Sequence, residues 1–122
     1  MGYRAYGSNF KDYAMTLCFQ KAFGSRDPIL NEDAKATMGF FLELWMDYNF
    51  GQPNKIQGKL DKLIENYLKQ TYRLQMHPKS KLYIFNCMDL YHSYDLDRLT
   101  KEFVAHSNQT CKQDHPKYPH EW

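Results

Sequence analysis

Apolar residues return every three or four positions along most of this chain, and the returns fall into runs separated by glycine, proline and asparagine. A period near 3.6 gathers side chains on one face of an α-helix, whereas a strand needs a period of two. The first run is Phe10, Tyr13, Ala14, Leu17, Cys18 and Ala22, preceded by Ser8 as a candidate N-cap and stopped by Gly24. After a Ser25-Arg26-Asp27-Pro28 turn, a second helix is expected from about Asn31 to Tyr48, with Ala34, Met38, Phe41, Leu42, Trp45 and Tyr48 on its stripe. Phe40 and Leu44 widen that stripe, as expected of a central helix or of one that also meets a partner. Asn49 to Asn54 breaks the pattern, and a third helix is predicted from Asn54 to Tyr72 on Ile56, Leu60, Leu63, Ile64, Tyr67 and Leu68. Pro78 disfavours helix at His77, so a loop follows. A fourth helix is predicted from near Ser80, burying Tyr83, Ile84, Cys87, Leu90 and Tyr91. Ser93 caps a fifth, with Leu96, Leu99, Phe103 and Val104 inward. The expectation is an all-α, compact bundle of about five helices. It forms one domain over 1–122, with an irregular tail from about residue 107.

Length and charge exclude several classes of function. A chain of 122 residues is one domain by size. Sixteen basic residues against fourteen acidic ones give a net charge of +2, without the basic stripe that nucleic-acid binding needs. Lys55, Lys59, Lys62 and Lys69 read as the solvated face of the third helix, and Lys79 and Lys81 form a smaller basic pair. No run of 18 apolar residues is present to span a membrane. Met1-Gly2-Tyr3-Arg4 opens no signal peptide, which leaves either the cytoplasm or the mature form of an exported protein.

The reactive side chains offer little catalytic pattern. Cys87 and His92 are five helical steps apart and do not share a face, as a nucleophile and its base must. Asp89 and His92 are more simply helix-end groups than an acid–base pair. His106, Cys111, His115 and His120 fit no metal-ligand spacing, and the six glycines form no phosphate loop. No metal or cofactor is expected. Cys18 and Cys87 each lie on an inward stripe, so they form either a disulfide or two buried thiols. A disulfide would close a loop of about 70 residues and contribute on the order of 4 kcal/mol. Cys111 is the odd thiol.

Two stretches carry a resemblance. One is Tyr6-Gly7-Ser8-Asn9-Phe10-Lys11-Asp12-Tyr13-Ala14-Met15-Thr16-Leu17-Cys18. The other runs from Phe85 to Leu99 around Cys87-Met88-Asp89-Leu90-Tyr91-His92-Ser93, and Ile64-Glu65-Asn66-Tyr67-Leu68 matches in character. Together these resemble the amidase immunity proteins of type VI secretion systems, in the fourth immunity family and its Rap relatives, over about residues 6 to 105. The resemblance implies an all-helical, non-enzymatic, dimeric protein of the bacterial periplasm. Its implied partner is a secreted cell-wall amidase of the NlpC/P60-like cysteine-peptidase type, whose active-site cleft it blocks. It also favours the Cys18–Cys87 disulfide, which suits an oxidising compartment. A small cysteine-dependent hydrolase and a generic helical adaptor are the competing readings.

An inhibitor of a cleft enzyme needs a protrusion and a surrounding shoulder. The preferred protrusion is the loop from Arg73 to Lys79, stiffened by Pro78, with Gln75, Met76 and His77 as contacts and Arg73 and Lys79 as steering charges. The shorter Asn49–Asn54 loop with Phe50 is the second candidate. Phe40 and Leu44 are the expected dimer contacts.

Overall fold

The computed structural model describes residues 4–44, 53–70, 75–114, 116 and 117, with the side chains of 43, 44 and 53–56 excepted. It is an all-α bundle with six helices among the described residues: α1 (Tyr6–Phe23), α2 (Pro28–Leu44), α3 (Pro53–Leu68), α4 (Tyr83–Tyr91), α5 (Tyr94–Phe103) and the single turn α6 (Cys111–Asp114). The five-helix expectation holds, and the extra turn falls in the segment that the sequence left irregular. The predicted ends at Tyr48 and the Phe50 loop lie outside the described residues.

The central helix is α1, against which α2, α3, α4 and α5 all pack. The wide apolar stripe of α2 had pointed to that helix as one candidate for the centre. Instead α2 rests chiefly on α1, with Ala34 buried and Met38, Phe40 and Phe41 half-buried against the core. Leu42, expected inward, is exposed. The core is built from the α1 stripe of Phe10, Tyr13, Ala14, Leu17 and Cys18, together with Leu60 and Ile64 of α3, Leu90 of α4, and Leu96, Leu99 and Phe103 of α5. Phe10 stacks on Phe103 with ring centroids 4.7 Å apart.

Cys18 and Cys87 are joined in a disulfide, with their Cα atoms 5.8 Å apart. The bond staples the C-terminal half of α1 to the middle of α4, and both residues are wholly buried.

Helix ends explain where the sequence expectations slip. Ser8 is not the cap of α1. The helix begins three residues earlier, after Ala5, because the Tyr6 and Gly7 amides donate to the Gln109 and Ser107 carbonyls at 2.8 and 2.9 Å. The orphan donors of the first turn are thus met by a distant segment, which no local pattern announces. That segment is held further by the Ala5–Thr110 bridge and by the Tyr6 hydroxyl, which donates to Asp114 at 2.9 Å. A Cβ on Gly7 would stand 3.0 Å from that of Ser107, so the close approach favours glycine.

Helix α2 starts at Pro28 and not at Asn31. The Asp27 carboxylate accepts from the Leu30 amide at 3.0 Å, and proline at the first helical position has no donor to lose. Helix α3 stops at Leu68, short of Tyr72, and just beyond it the Gln70 carbonyl accepts from the Asn86 side chain at 3.3 Å. Helix α4 starts at Tyr83, not near Ser80, after Leu82 in the left-handed conformation (φ 52°); the Ser80 hydroxyl instead accepts from the Leu82 amide. Helix α5 follows its expected form, with Ser93 Oγ accepting from the Leu96 amide at 3.0 Å.

Candidate functional site

Of the large apolar side chains exposed among the described residues, Met76, Ile84, Phe85 and Met88 lie on α4 and the loop that precedes it, while Ile29 and Leu42 stand on α2 and Tyr94 on α5. Gln75, Met76, His77, Pro78 and Lys79 are all exposed, and Met76 is 86% exposed. Arg73 lies outside the described residues. The loop is bounded by fixed points. Asn86, itself fully buried, holds the Gln70 carbonyl at its start, and Cys87 beside Asn86 is bonded to α1. Within the loop, the Ser80 amide donates to the His77 carbonyl at 3.2 Å.

Beside the loop, α4 is apolar on both sides. Asn86, Cys87 and Leu90 point inward. Ile84, Phe85 and Met88 are about half exposed, at 56%, 48% and 49%. The sequence placed Ile84 in the core. Ile84 and Met88 are four positions apart and therefore share a face, and the disulfide directs the opposite face inward. These three residues, with Leu82 and Tyr83, border a groove of about 570 Å³ that reaches the α1–α2 turn at Phe23 and Arg26. Phe23 and Tyr83 meet edge to face at 5.8 Å. Arg26, Lys79 and Lys81 stand on the rim, and no carboxylate is among the described residues that line the groove.

Of the residues singled out from sequence, Gln75, Met76, His77 and Lys79 therefore come together on one exposed element. Phe40 is half-buried and packed against the core from α2. The side chain of Leu44 is outside those described. Missed were Arg26, Phe85 and Met88, although one signal existed. A nine-residue helix with Tyr83, Ile84, Phe85, Cys87, Met88, Leu90 and Tyr91 has too many apolar groups for one buried stripe.

Nucleophilic chemistry finds no support at the two stripe cysteines, because each sulfur is bonded to the other. Cys111 is buried, and its thiol is pushed up by desolvation and, second, by Asp114. A reactive thiol needs the reverse shift and access to solvent.

The profile of a family described as Tai4, type VI secretion system (T6SS) amidase immunity protein, matches residues 8–100. The chain belongs to that family. The matched span holds most of α1 to α5, both bonded cysteines and the exposed loop, and stops short of the α6 segment. A solved structure from work on new Type VI-secreted toxins and self-resistance proteins in Serratia marcescens is similar at a TM-score of 0.80 and 27% identity, over 96% of this chain and 90% of that one. No curated protein sequence matches significantly. The Tai4 match and the fold together make this an immunity protein of type VI secretion.

Proposed function

We propose that this immunity protein binds a secreted peptidoglycan amidase of NlpC/P60-like type in the periplasm and stops its active-site cleft, without catalysing a reaction itself. The observation that carries the reading is the loop at 75–79, which projects Met76 into solvent while Asn86 and the disulfide hold its base. A tethered protrusion loses little conformational entropy when it enters a cleft. Arg73, Gln75, Met76, His77 and Lys79 are its contacts. The apolar outer face of α4 gives the shoulder needed to reach about 800 Å² buried per partner. The disulfide supports an oxidising compartment. Residues 1–122 act as one unit, and two copies pair through α2 around Phe40 and Leu44.

The test is amidase inhibition and calorimetric affinity with Gln75, Met76 and His77 replaced together by alanine. Affinity should fall more than about tenfold, as expected when contacts at the centre of an interface are truncated. Unchanged affinity discards the loop. Light scattering on Phe40→Glu tests the pairing, and a dimer that persists clears that residue of the role.

A further inference from the structure

We infer that the groove between the α1–α2 turn and α4 is a second docking point for the amidase, built to receive an acidic segment of the toxin that carries one apolar side chain. The inference rests on the reading above and extends it from the loop tip to a site about a different chemistry. The groove's wall is Ile84, Phe85 and Met88, all substantially exposed on a helix whose other face is fixed in the core. Its rim is cationic. Arg26 comes from the α1–α2 turn, and Lys79 and Lys81 from the segment before α4. Asp27, the carboxylate nearest Arg26 in sequence, is engaged with the Leu30 amide at the start of α2. Among the described lining residues there is no carboxylate, so within that lining the rim charges are uncompensated.

Three cations around an apolar trough repel a basic partner and leave a neutral one with charges to desolvate. An acidic segment satisfies both features: its carboxylates meet the rim, and its apolar side chain covers the α4 wall. At about 570 Å³ the groove is within the usual size of a concave recognition site, about 300–1,000 Å³. Continuity identifies the toxin as the occupant. Lys79 belongs both to the groove's rim and to the loop that meets the cleft, so a partner bound at the loop tip lies against the groove as well. A second copy of this chain is the occupant that the experiment excludes.

The probe is the purified, catalytically inactive type VI-secreted amidase that the wild-type protein binds best from a panel. Three variants are compared: Arg26→Glu with Lys81→Glu, Met88→Asp, and Arg26→Lys. All sites are exposed, and melting by circular dichroism verifies folding. The charge reversal should slow association at least about tenfold at low salt, with the difference shrinking as salt rises, because rim charges act mainly on the encounter rate. Met88→Asp should shorten the lifetime of the complex by about tenfold, since interface truncations act mainly on dissociation. Arg26→Lys should behave as wild type. Groove variants that keep wild-type kinetics, while the Gln75, Met76 and His77 alanine variant loses affinity, overturn the groove and leave the loop reading standing. Groove variants that change only the mass in light scattering assign the groove to a second copy and also overturn it. Failure of the wild-type protein to bind any amidase overturns both readings together.

Discussion

Helices α4 and α5 are neighbours of nearly equal length, and they spend their apolar residues in different ways. In α5, Leu96, Leu99 and Phe103 are all buried, and apart from Tyr94 in its first turn the exposed positions are polar, among them Asp95, Asp97, Arg98 and Lys101. In α4, Cys87 and Leu90 are buried while Ile84, Phe85 and Met88 remain half exposed. A helix that needs only to stabilise a bundle wants the first arrangement. The second leaves apolar area in water at a cost of about 25 cal/mol per Å², recovered only when something covers it. The contrast separates a helix whose apolar groups are mostly spent on the core from one that is half core and half exposed apolar face, with the disulfide fixing which half faces which way.

The strongest way to break that division is to remove its staple. The Cys18–Cys87 bond spans 69 positions, and chain entropy gives it about 4 kcal/mol of stability. Replacing both cysteines by alanine should lower the urea midpoint accordingly, and adding reductant to the wild type should do the same. A midpoint that does not move would mean that α4 is oriented by packing alone. The next test compares the two helices directly. Leu96→Ala should cost about 2–5 kcal/mol, because Leu96 is wholly buried and leaves a cavity. Ile84→Ala should change stability by no more than about 0.5 kcal/mol, since its side chain is mostly in water. Equal costs in chemical denaturation would erase the distinction between the faces.

Their starts differ as well. Ser93 caps α5 with a side-chain hydrogen bond at 3.0 Å, whereas α4 begins after left-handed Leu82 with no side-chain cap. Ser93→Ala should therefore cost about 1 kcal/mol, read from thermal melts. A neutral result would show that the buried Leu96 and Leu99 hold that turn without the hydroxyl.

The same contrast explains what was legible in the sequence. The α5 stripe, its cap and its buried residues could be read directly, because local pattern and tertiary packing agree there. The inward faces of α1 and α3 were legible for the same reason. Ile84 was misplaced because periodicity alone cannot rank two apolar faces of one short helix; the bond at Cys87 does that, and pairing of cysteines is a tertiary fact. Ser8 failed as a cap because the carbonyls of Gln109 and Ser107, about a hundred positions away, accept from the Tyr6 and Gly7 amides and so let the helix start ahead of it. Arg26 was read as part of a turn, and only the fold places it on the same groove as Lys79 and Lys81. The exposed loop with Met76 and His77 was found from its proline and its position between helices, which are local signals.

The smallest expected effect concerns the buried side of the bundle. Burial raises the Tyr13 phenol above its ordinary value of 10.0, with the Asp61 charge adding to it. Desolvation, and then Asp114, raise the Cys111 thiol above 9.0. Both groups hold their proton more tightly when folded than when unfolded. Their contribution is complete below the unfolded pKa values and is lost as pH climbs through the raised folded ones. The melting temperature should thus be insensitive to these two groups below pH 9 and decline above it, and Tyr13→Phe should flatten the portion of the decline above pH 10. That substitution also removes the hydroxyl's hydrogen bond to Gln57 Oε1 at 3.0 Å, so the variant is read by the slope of its pH profile and not by its absolute stability. An alkaline slope identical in wild type and Tyr13→Phe would mean that the phenol ionises in the bundle as easily as in the open chain. The α1–α3 contact around it would then be wetter than the core on the α4–α5 side.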